Sequence, residues 1–277
     1  AAAYSVLAYF MMALGIVAWK SVIATYNISQ ILALDALVCL PLFIGLAKIK
    51  GGLHLLKTSY PLLQILRGVL QTLAAYIGLY GLLHLPASTY TMLGYCTPFI
   101  MAFFAWLFLK EKCPPIGWLC ILIGLVGTAL IIQPEYTQNF IAAFAVILSC
   151  CFWAGNVILM KQMPKDHVIS FPFYTVIIAG SISCIIVMAS GIAPMPPLDF
   201  SLVTIAGIFF FIGAQILFVT YRLSPLYSLT PFQYTQIVWV VALSYFLWAS
   251  TPTFIQMMGL IIVIIAATYS SFLKKEN

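Results

Sequence analysis

The sequence predicts an all-α integral membrane protein of ten transmembrane helices in two inverted five-helix repeats. Three observations carry that expectation: the near absence of charge, a regular succession of apolar stretches of spanning length, and a return of the pattern after 139 residues. Charged residues make up 6% of the chain and hydrophobic ones 64%, with a mean hydropathy of +1.12. So few charges cannot cover a water-soluble core, and the solvent for most of the surface is expected to be lipid. At ~20 residues per crossing, 277 residues leave room for about ten or eleven spans and for no soluble domain.

The expected spans run over residues 4–24, 30–47, 62–83, 88–108, 115–132, 140–160, 170–191, 201–221, 229–249 and 253–272. The first is followed by nine more, so it reads as a span and not as a cleavable signal peptide. His84-Leu85-Pro86 marks the break between the third and fourth, and the charged turn Lys110-Glu111-Lys112 followed by Pro115 marks the next. Several spans hold only about eighteen residues, which predicts a compact bundle. If the N-terminus is cytoplasmic, eleven of the twelve lysines and arginines fall at or near the cytoplasmic face and only Lys20 lies toward the other. The positive-inside rule therefore places both termini in the cytoplasm, in a cytoplasmic (inner) membrane. The formal charge of +6 is an orientation signal and a match to anionic headgroups, and nucleic acid is not an expected partner.

Shifting the chain by 139 residues superposes Gly68 on Gly207, Ala75 on Ala214, Pro86 on Pro225, Tyr95 on Tyr234 and Cys120 on Gly259. With two more residues of slack upstream, Lys20 falls on Lys161. Each half, 1–136 and 137–277, then holds five spans of one membrane domain. An odd number per repeat requires the halves to sit inverted, related by a pseudo-two-fold axis in the membrane plane.

The order and spacing of several short motifs carry a resemblance. The run Arg67-Gly68-x-x-Gln71, then Leu85-Pro86-Ala87, Pro98, Leu109-Lys110-Glu111-Lys112, Pro115, Trp118 and Gly124-Leu125-Val126-Gly127 resembles the EamA family of the drug/metabolite transporter superfamily. Phe152-Trp153-Ala154-Gly155-Asn156, with Lys161 five residues on, is similar to the opening of that family's repeat. The chain departs from the pattern at Trp248-Ala249-Ser250, where a glutamate is missing, and at Ala18-Trp19-Lys20. The resemblance implies a central cavity lined by the first, third and fourth spans and by the sixth, eighth and ninth. It also implies small organic metabolites, such as amino acids and related amphipathic compounds, as substrates.

Polar residues inside spans are the candidate site. Lys20 and Asp35 are expected at similar depth near the outer face, where they could pair. Two readings are open for them: a gate or proton-responsive switch, or a Lys20 that snorkels to the interface. Gln71 forms a stripe with Arg67, Ala75 and Gly78, Tyr76 stands on the same helix, and Gln215 lies at similar depth in the eighth span. An amide in hydrocarbon needs a partner, either another helix or a ligand. Tyr90 and Tyr95 on the fourth span, and Tyr234 and Gln236 on the ninth, offer rings and polar tips that suit an amphipathic ligand. Trp153 and Asn156 complete the set, with binding and helix-to-helix hydrogen bonding equally open for Asn156. Arg67 reads first as an interfacial anchor, with a role toward a substrate anion as the alternative, and Glu111 as a solvated or salt-bridged helix end.

No HExxH, GxSxG or phosphate-cradling loop is present in the sequence, nor a pair of carboxylates within one span. The seven cysteines form no CxxC pair and read as small apolar core residues. No enzyme activity, cofactor or metal is therefore expected. The expectation is a secondary transporter, working by alternating access on an amino-acid-like, carboxylate or nucleoside-like metabolite such as an S-adenosyl compound, with coupling to protons or exchange. A non-transporting channel or assembly partner of the same fold is the alternative.

Overall fold

A computed structural model describes residues 2–19, 22, 25–85, 87–133, 139–248 and 253–272. Lys20, Pro86 and Ser250, which the sequence singled out, lie outside the described residues. Among the described residues eleven α-helices succeed one another: α1 (Ala2–Trp19), α2 (Ile28–Lys50), α3 (Pro61–His84), α4 (Ala87–Gly94), α5 (Thr97–Leu109), α6 (Pro115–Ile132), α7 (Phe140–Lys161), α8 (Ser170–Ser190), α9 (Pro197–Leu223), α10 (Thr235–Trp248) and α11 (Phe254–Phe272). No strand occurs among the described residues.

Local chemistry sets the ends. Asn27 caps α2 by accepting from the Ser29 amide, and α2 stops at Gly51, whose φ of 134° few other residues adopt. Asn139 caps α7 by accepting from the Ala142 amide at 3.1 Å. Proline occupies the first turn of α3, α5, α6 and α9, where its missing N–H leaves no intrahelical bond unmade. Lys110 and Gln133 close α5 and α6 in the left-handed conformation.

Seven helical stretches are long and apolar enough to cross a membrane: Ile28–Lys50, Pro61–His84, Thr89–Leu109, Pro115–Ile132, Phe140–Lys161, Ser170–Ser190 and Pro197–Leu223. Ala2–Ala18 and Phe254–Tyr269 are apolar but shorter. Two expected spans are not uninterrupted α-helices. The fourth is broken at Tyr95-Cys96 into α4 and α5, and the ninth opens with 3-10 turns over Leu226–Ser228 and Thr230–Tyr234 before α10 begins. Each break has a proline in the first turn of a helical segment, Pro98 in α5 and Pro231 in Thr230–Tyr234, and neither can donate to the preceding turn.

Outward faces are apolar: Leu62 and Leu83 on α3, Val126 on α6, Met188 on α8 and Phe246 on α10 are exposed. That inverts a soluble protein's pattern, so the surface belongs in lipid. Inside, α3 packs along α7 and α1 along α9, α2 pairs with α8, and α6 with α11. The α6–α11 crossing is close because a Cβ on Gly259 would lie 2.6 Å from the Gly127 carbonyl oxygen. Such small-residue contacts supply helix association where lipid gives no hydrophobic drive.

Candidate functional site

Five helices, α2, α3, α7, α8 and α9, enclose a cavity of about 230 Å³. Its wall is mostly apolar, with rings from Phe43, Trp153, Phe210, Phe211 and Phe218, and its polar groups come from Asp35, Gln71, Thr72, Asn156 and Thr175. The walls expected from the family resemblance share α3, α7 and α9 with this cavity, but α2 and α8 stand where α1, α4–α5 and α10 were expected. Side-chain size explains the difference. Ala36 and Cys39 on α2 and Ala179 and Gly180 on α8 leave space facing α3 and α9. On the other flank α1 is pressed onto α9: a Cβ on Gly15 would meet the Phe210 ring at 2.9 Å, and one on Gly213 the Ala8 carbonyl at 3.0 Å.

At one end the cavity adjoins a buried polar network. Arg67 is fully buried, which corrects its reading as an interfacial anchor. Its Nε donates to Asn156 Oδ1 at 2.7 Å, Nη1 to Gln64 Oε1 at 3.0 Å and to the Phe171 carbonyl at 3.1 Å, and Nη2 to Thr175 Oγ1 at 3.0 Å. The guanidinium also lies 5.1 Å from the Phe171 ring centre and 5.3 Å from that of Phe218. Asn156 in turn donates to Gln71 Oε1 at 2.8 Å. In the other direction Gln64 donates to Asp166 Oδ2 at 3.0 Å, and Asp166 also accepts from Thr58 Oγ1 and the Ser59 amide. Five side chains thus run in series from the α7–α8 link to the cavity wall: Asp166, Gln64, Arg67, Asn156, Gln71. Arg67 and Gln71 belonged to the stripe read from the sequence; Gln64, one turn before Arg67, was missed although it continues that spacing, and Asp166, in a link between helices, carried no signal.

The same end gathers further charge. Lys161 Nζ pairs with Glu111 Oε1 at 2.7 Å and donates to the Ser224 carbonyl, while Glu111 Oε2 accepts from the Leu226 amide. Glu111 is therefore the salt-bridged helix end that its sequence setting suggests. Arg222 donates to the carbonyls of Pro164 and Asp166. His167 in the α7–α8 link titrates below its ordinary value, first because it is partly buried and then because Lys50, Arg222 and His54 lie nearby. At the opposite end Gln30 bonds both ways with the Ala193 backbone, and Tyr26 donates to Asp199 at 2.7 Å.

Of the sequence-derived candidates, Asp35, Gln71, Trp153 and Asn156 line the cavity. Tyr76 ties α3 to its neighbours by bonds to Ser29 Oγ at 2.9 Å and Ser183 Oγ at 3.1 Å. Tyr90 packs against Leu85 and Val146. Tyr95 and Tyr234 face each other with ring centres 6.0 Å apart. Gln215 Nε2 and the Tyr234 hydroxyl are buried without a partner among the described residues, as are Gln233 Oε1, Trp239 Nε1 and Ser5 Oγ. Gln236 is half-buried on α10. Lys20 is outside the described residues, so no pairing with Asp35 is described. No metal-holding cluster of His, Cys, Asp or Glu exists among the described residues.

With this geometry the chain is similar to several known transporters. It is 23% identical over 236 residues to the pseudopaline exporter CntI of Pseudomonas aeruginosa, covering 84% of this chain and 83% of that protein. It is 24% identical over 234 residues to an S-adenosylmethionine uptake transporter of Rickettsia prowazekii, covering 82% and 77%. A riboflavin transporter of Brucella anthropi is 24% identical over 227 residues, with 80% of each covered. A crystal structure superposes with a TM-score of 0.87 at 14% identity, over 99% of this chain and 98% of the other, which shows the shared fold. The profile of the EamA-like transporter family matches twice, over residues 1–133 and 140–272, and the chain belongs to that family.

Proposed function

We propose that this integral membrane protein is a secondary transporter that moves a small amphipathic organic metabolite across the cytoplasmic membrane by alternating access. The observation that carries the reading is the double match to a transporter family, at the same 139-residue spacing as the repeat in the sequence. The reading includes ten spans in two inverted halves, 1–136 and 137–277. Three features support it. The α1–α9 pairing corresponds to α7–α3, and α10 lies against α1 as α5 lies against α7. Tyr95 and Tyr234, matched by the repeat, touch each other, as residues on a two-fold axis do. Both halves interrupt the helix that carries this tyrosine. The positive charges around Lys50, Lys161 and Arg222 support a cytoplasmic position for that end and for both termini.

In this reading the cavity is the binding site, with Gln71, Trp153 and Asn156 contacting substrate and Asp35 near its outer side. The Arg67–Asp166 network and the Lys161–Glu111 pair close the cytoplasmic end, and the Gln30–Ala193 and Tyr26–Asp199 bonds close the outer end. Tyr76 acts with the outer closure; Tyr90, Tyr95, Gln215, Tyr234 and Gln236 meet substrate as the halves exchange. Lys20, matched by the repeat to Lys161, gates the outer end. Relatives named for pseudopaline, S-adenosylmethionine and riboflavin are consistent with a substrate that joins a ring or chain to polar groups. Counterflow in proteoliposomes preloaded with amino acids, carboxylates, nucleosides or S-adenosyl compounds tests the reading. Label is expected to accumulate for one class and to be lost in Gln71→Ala; no accumulation with folded protein would overturn transport.

A further inference from the structure

Among the described residues that line the cavity, one side chain is a carboxylic acid or a nitrogen base, the carboxyl of Asp35. Asp35 sits two turns into α2, and none of the residues that share the cavity wall with it is a lysine, arginine or histidine. Its Oδ1 is buried without a hydrogen-bond partner among the described residues. The pocket for this oxygen is built into the neighbouring helix, since a Cβ on Gly207 would stand 2.9 Å from it. Arg67, the cation of the adjoining network, is committed to Asn156, Gln64, Thr175 and the Phe171 carbonyl. It is not the counter-ion. An ionised carboxylate within a span and away from water is strongly disfavoured unless a proton or a cation joins it.

We propose that Asp35 is the anchor for the cationic nitrogen of the transported molecule, and that a proton and this nitrogen occupy it alternately. The substrate class is then a small amphipathic amine, its ammonium on Asp35 and its apolar part among the rings of Trp153, Phe210 and Phe211. Cation–π attraction from those rings adds to the preference for positive charge. At about 230 Å³ the cavity is smaller than the roughly 300–1,000 Å³ of drug-sized sites, which favours a small molecule. The exchange balances: a protonated Asp35 releases its proton to the aqueous side as the ammonium ion arrives, and one positive charge replaces another. On the elements packed against α2 or bonded to it, the titratable and charged groups are Arg67, Tyr76, Tyr80 and His84 on α3, Tyr174 and Cys184 on α8, Asp199, Tyr221 and Arg222 on α9, and His54 on the 3-10 turn Leu53–Leu56; none lines the cavity. The Cys39 thiol, one turn along α2, does line it and donates to the Gly207 carbonyl.

This assignment rests on the transporter reading, and a pair of probes of like shape and opposite charge separates the two. Binding of radiolabelled tryptamine and indole-3-propionate to purified protein in nanodiscs would be measured at pH 8 and pH 5.5 for the wild type, Asp35→Asn, Asp35→Glu and, outside the cavity, Cys184→Ala. The wild type is expected to hold tryptamine at least tenfold more tightly than the propionate at pH 8, and to lose at least fivefold of that affinity at pH 5.5. Asp35→Asn should abolish the charge preference and the pH effect, Asp35→Glu should keep both in part, and Cys184→Ala should leave both in place. Thermal unfolding of each variant confirms that it is folded. Equal binding of the two probes, preference for the anion, a preference that survives Asp35→Asn, or binding of neither probe would each overturn the assignment. Counterflow of an anionic or neutral solute that is indifferent to Asp35→Asn overturns it while leaving transport standing. Charge-selective binding with no counterflow of any solute leaves Asp35 assigned as a cation site and overturns transport.

Discussion

Two flanks of this bundle use similar helix packing and opposite polar chemistry. Where α3 meets α7 and α8, the guanidinium, amides and hydroxyls of Arg67, Gln64, Asn156 and Thr175 bond one another. Where α1 meets α9 and the segment leading into α10, the Tyr9 and Tyr221 hydroxyls bond each other at 2.9 Å, but polar atoms of Ser5, Gln215, Gln233, Tyr234 and Trp239 are buried and unpartnered among the described residues. The 139-residue correspondence sharpens the contrast: Gln64, Arg67, Gln71 and Glu111 fall on Val203, Ala206, Phe210 and Ser250. The halves agree in the small and apolar residues that set packing and disagree in the residues that bear charge. Unmade hydrogen bonds cost about 1–3 kcal/mol each in a dry interior, so the α1–α9–α10 flank, though as closely packed, is the less well satisfied of the two.

The largest blow to this contrast is Arg67→Met. It strands Asn156 Oδ1 and Gln64 Oε1, while the Phe171 carbonyl keeps its bond from Thr175, and a loss of about 2–5 kcal/mol is expected from two buried acceptors left unpaired. Thermal unfolding in detergent would read it, and Arg67→Lys should recover only part, because an ammonium cannot reproduce the fork of bonds. Gly259→Ala attacks the packing away from both flanks. It drives a methyl toward the Gly127 carbonyl, with a cost of about 2 kcal/mol. A wild-type unfolding curve would show that the α6–α11 crossing tolerates separation. Glu111→Gln weakens the pair with Lys161 and should cost about 1.5 kcal/mol. On the proposed mechanism it also raises counterflow through an inward-facing form, and unchanged flux would remove the pair from the gate.

Gln215→Leu probes the other flank and has the opposite expected sign. Replacing an unpartnered amide by an apolar side chain of similar size should be neutral or stabilising by up to about 1 kcal/mol. Destabilisation would mean that the amide is satisfied in the membrane, and the contrast between flanks would shrink. The smallest effect belongs to His167. Its lowered titration point means that the unfolded chain takes up the proton first, so stability is complete above the ordinary value of 6.5 and declines as pH falls below it. The decline should be absent in His167→Gln when unfolding is monitored from pH 7.5 to 5.

Much of the fold was legible because lipid imposes a simple code: the expected spans 115–132, 140–160 and 170–191 coincide with helices to within a residue. The breaks after Gly94 and before Thr235 were less visible, since Thr89–Leu109 stays continuously apolar and only Pro98 hints at an interruption. Gln71, Trp153 and Asn156 were recognisable as cavity residues because amides and indoles are uncommon in spans. Arg67 is the misleading case: a cation two turns from a helix end looks like an anchor until the partners converging from α7 and α8 are known. The contributions of α2 and α8 to the cavity arise from Ala36, Cys39, Ala179 and Gly180, residues whose smallness has no polar signature in the sequence.

The interruption at Tyr95-Cys96 also bears on how the protein enters the bilayer. Thr89–Leu109 offers 21 residues with a mean hydropathy of 1.8, enough to be taken up as one segment during synthesis. Within the break the Tyr95 amide reaches the Thr91 and Met92 carbonyls and the Cys96 amide reaches Leu93, so the backbone stays bonded in hydrocarbon. Insertion therefore treats the segment as a single crossing, and its two pieces take their angle only afterwards, when the flanking helices close around them.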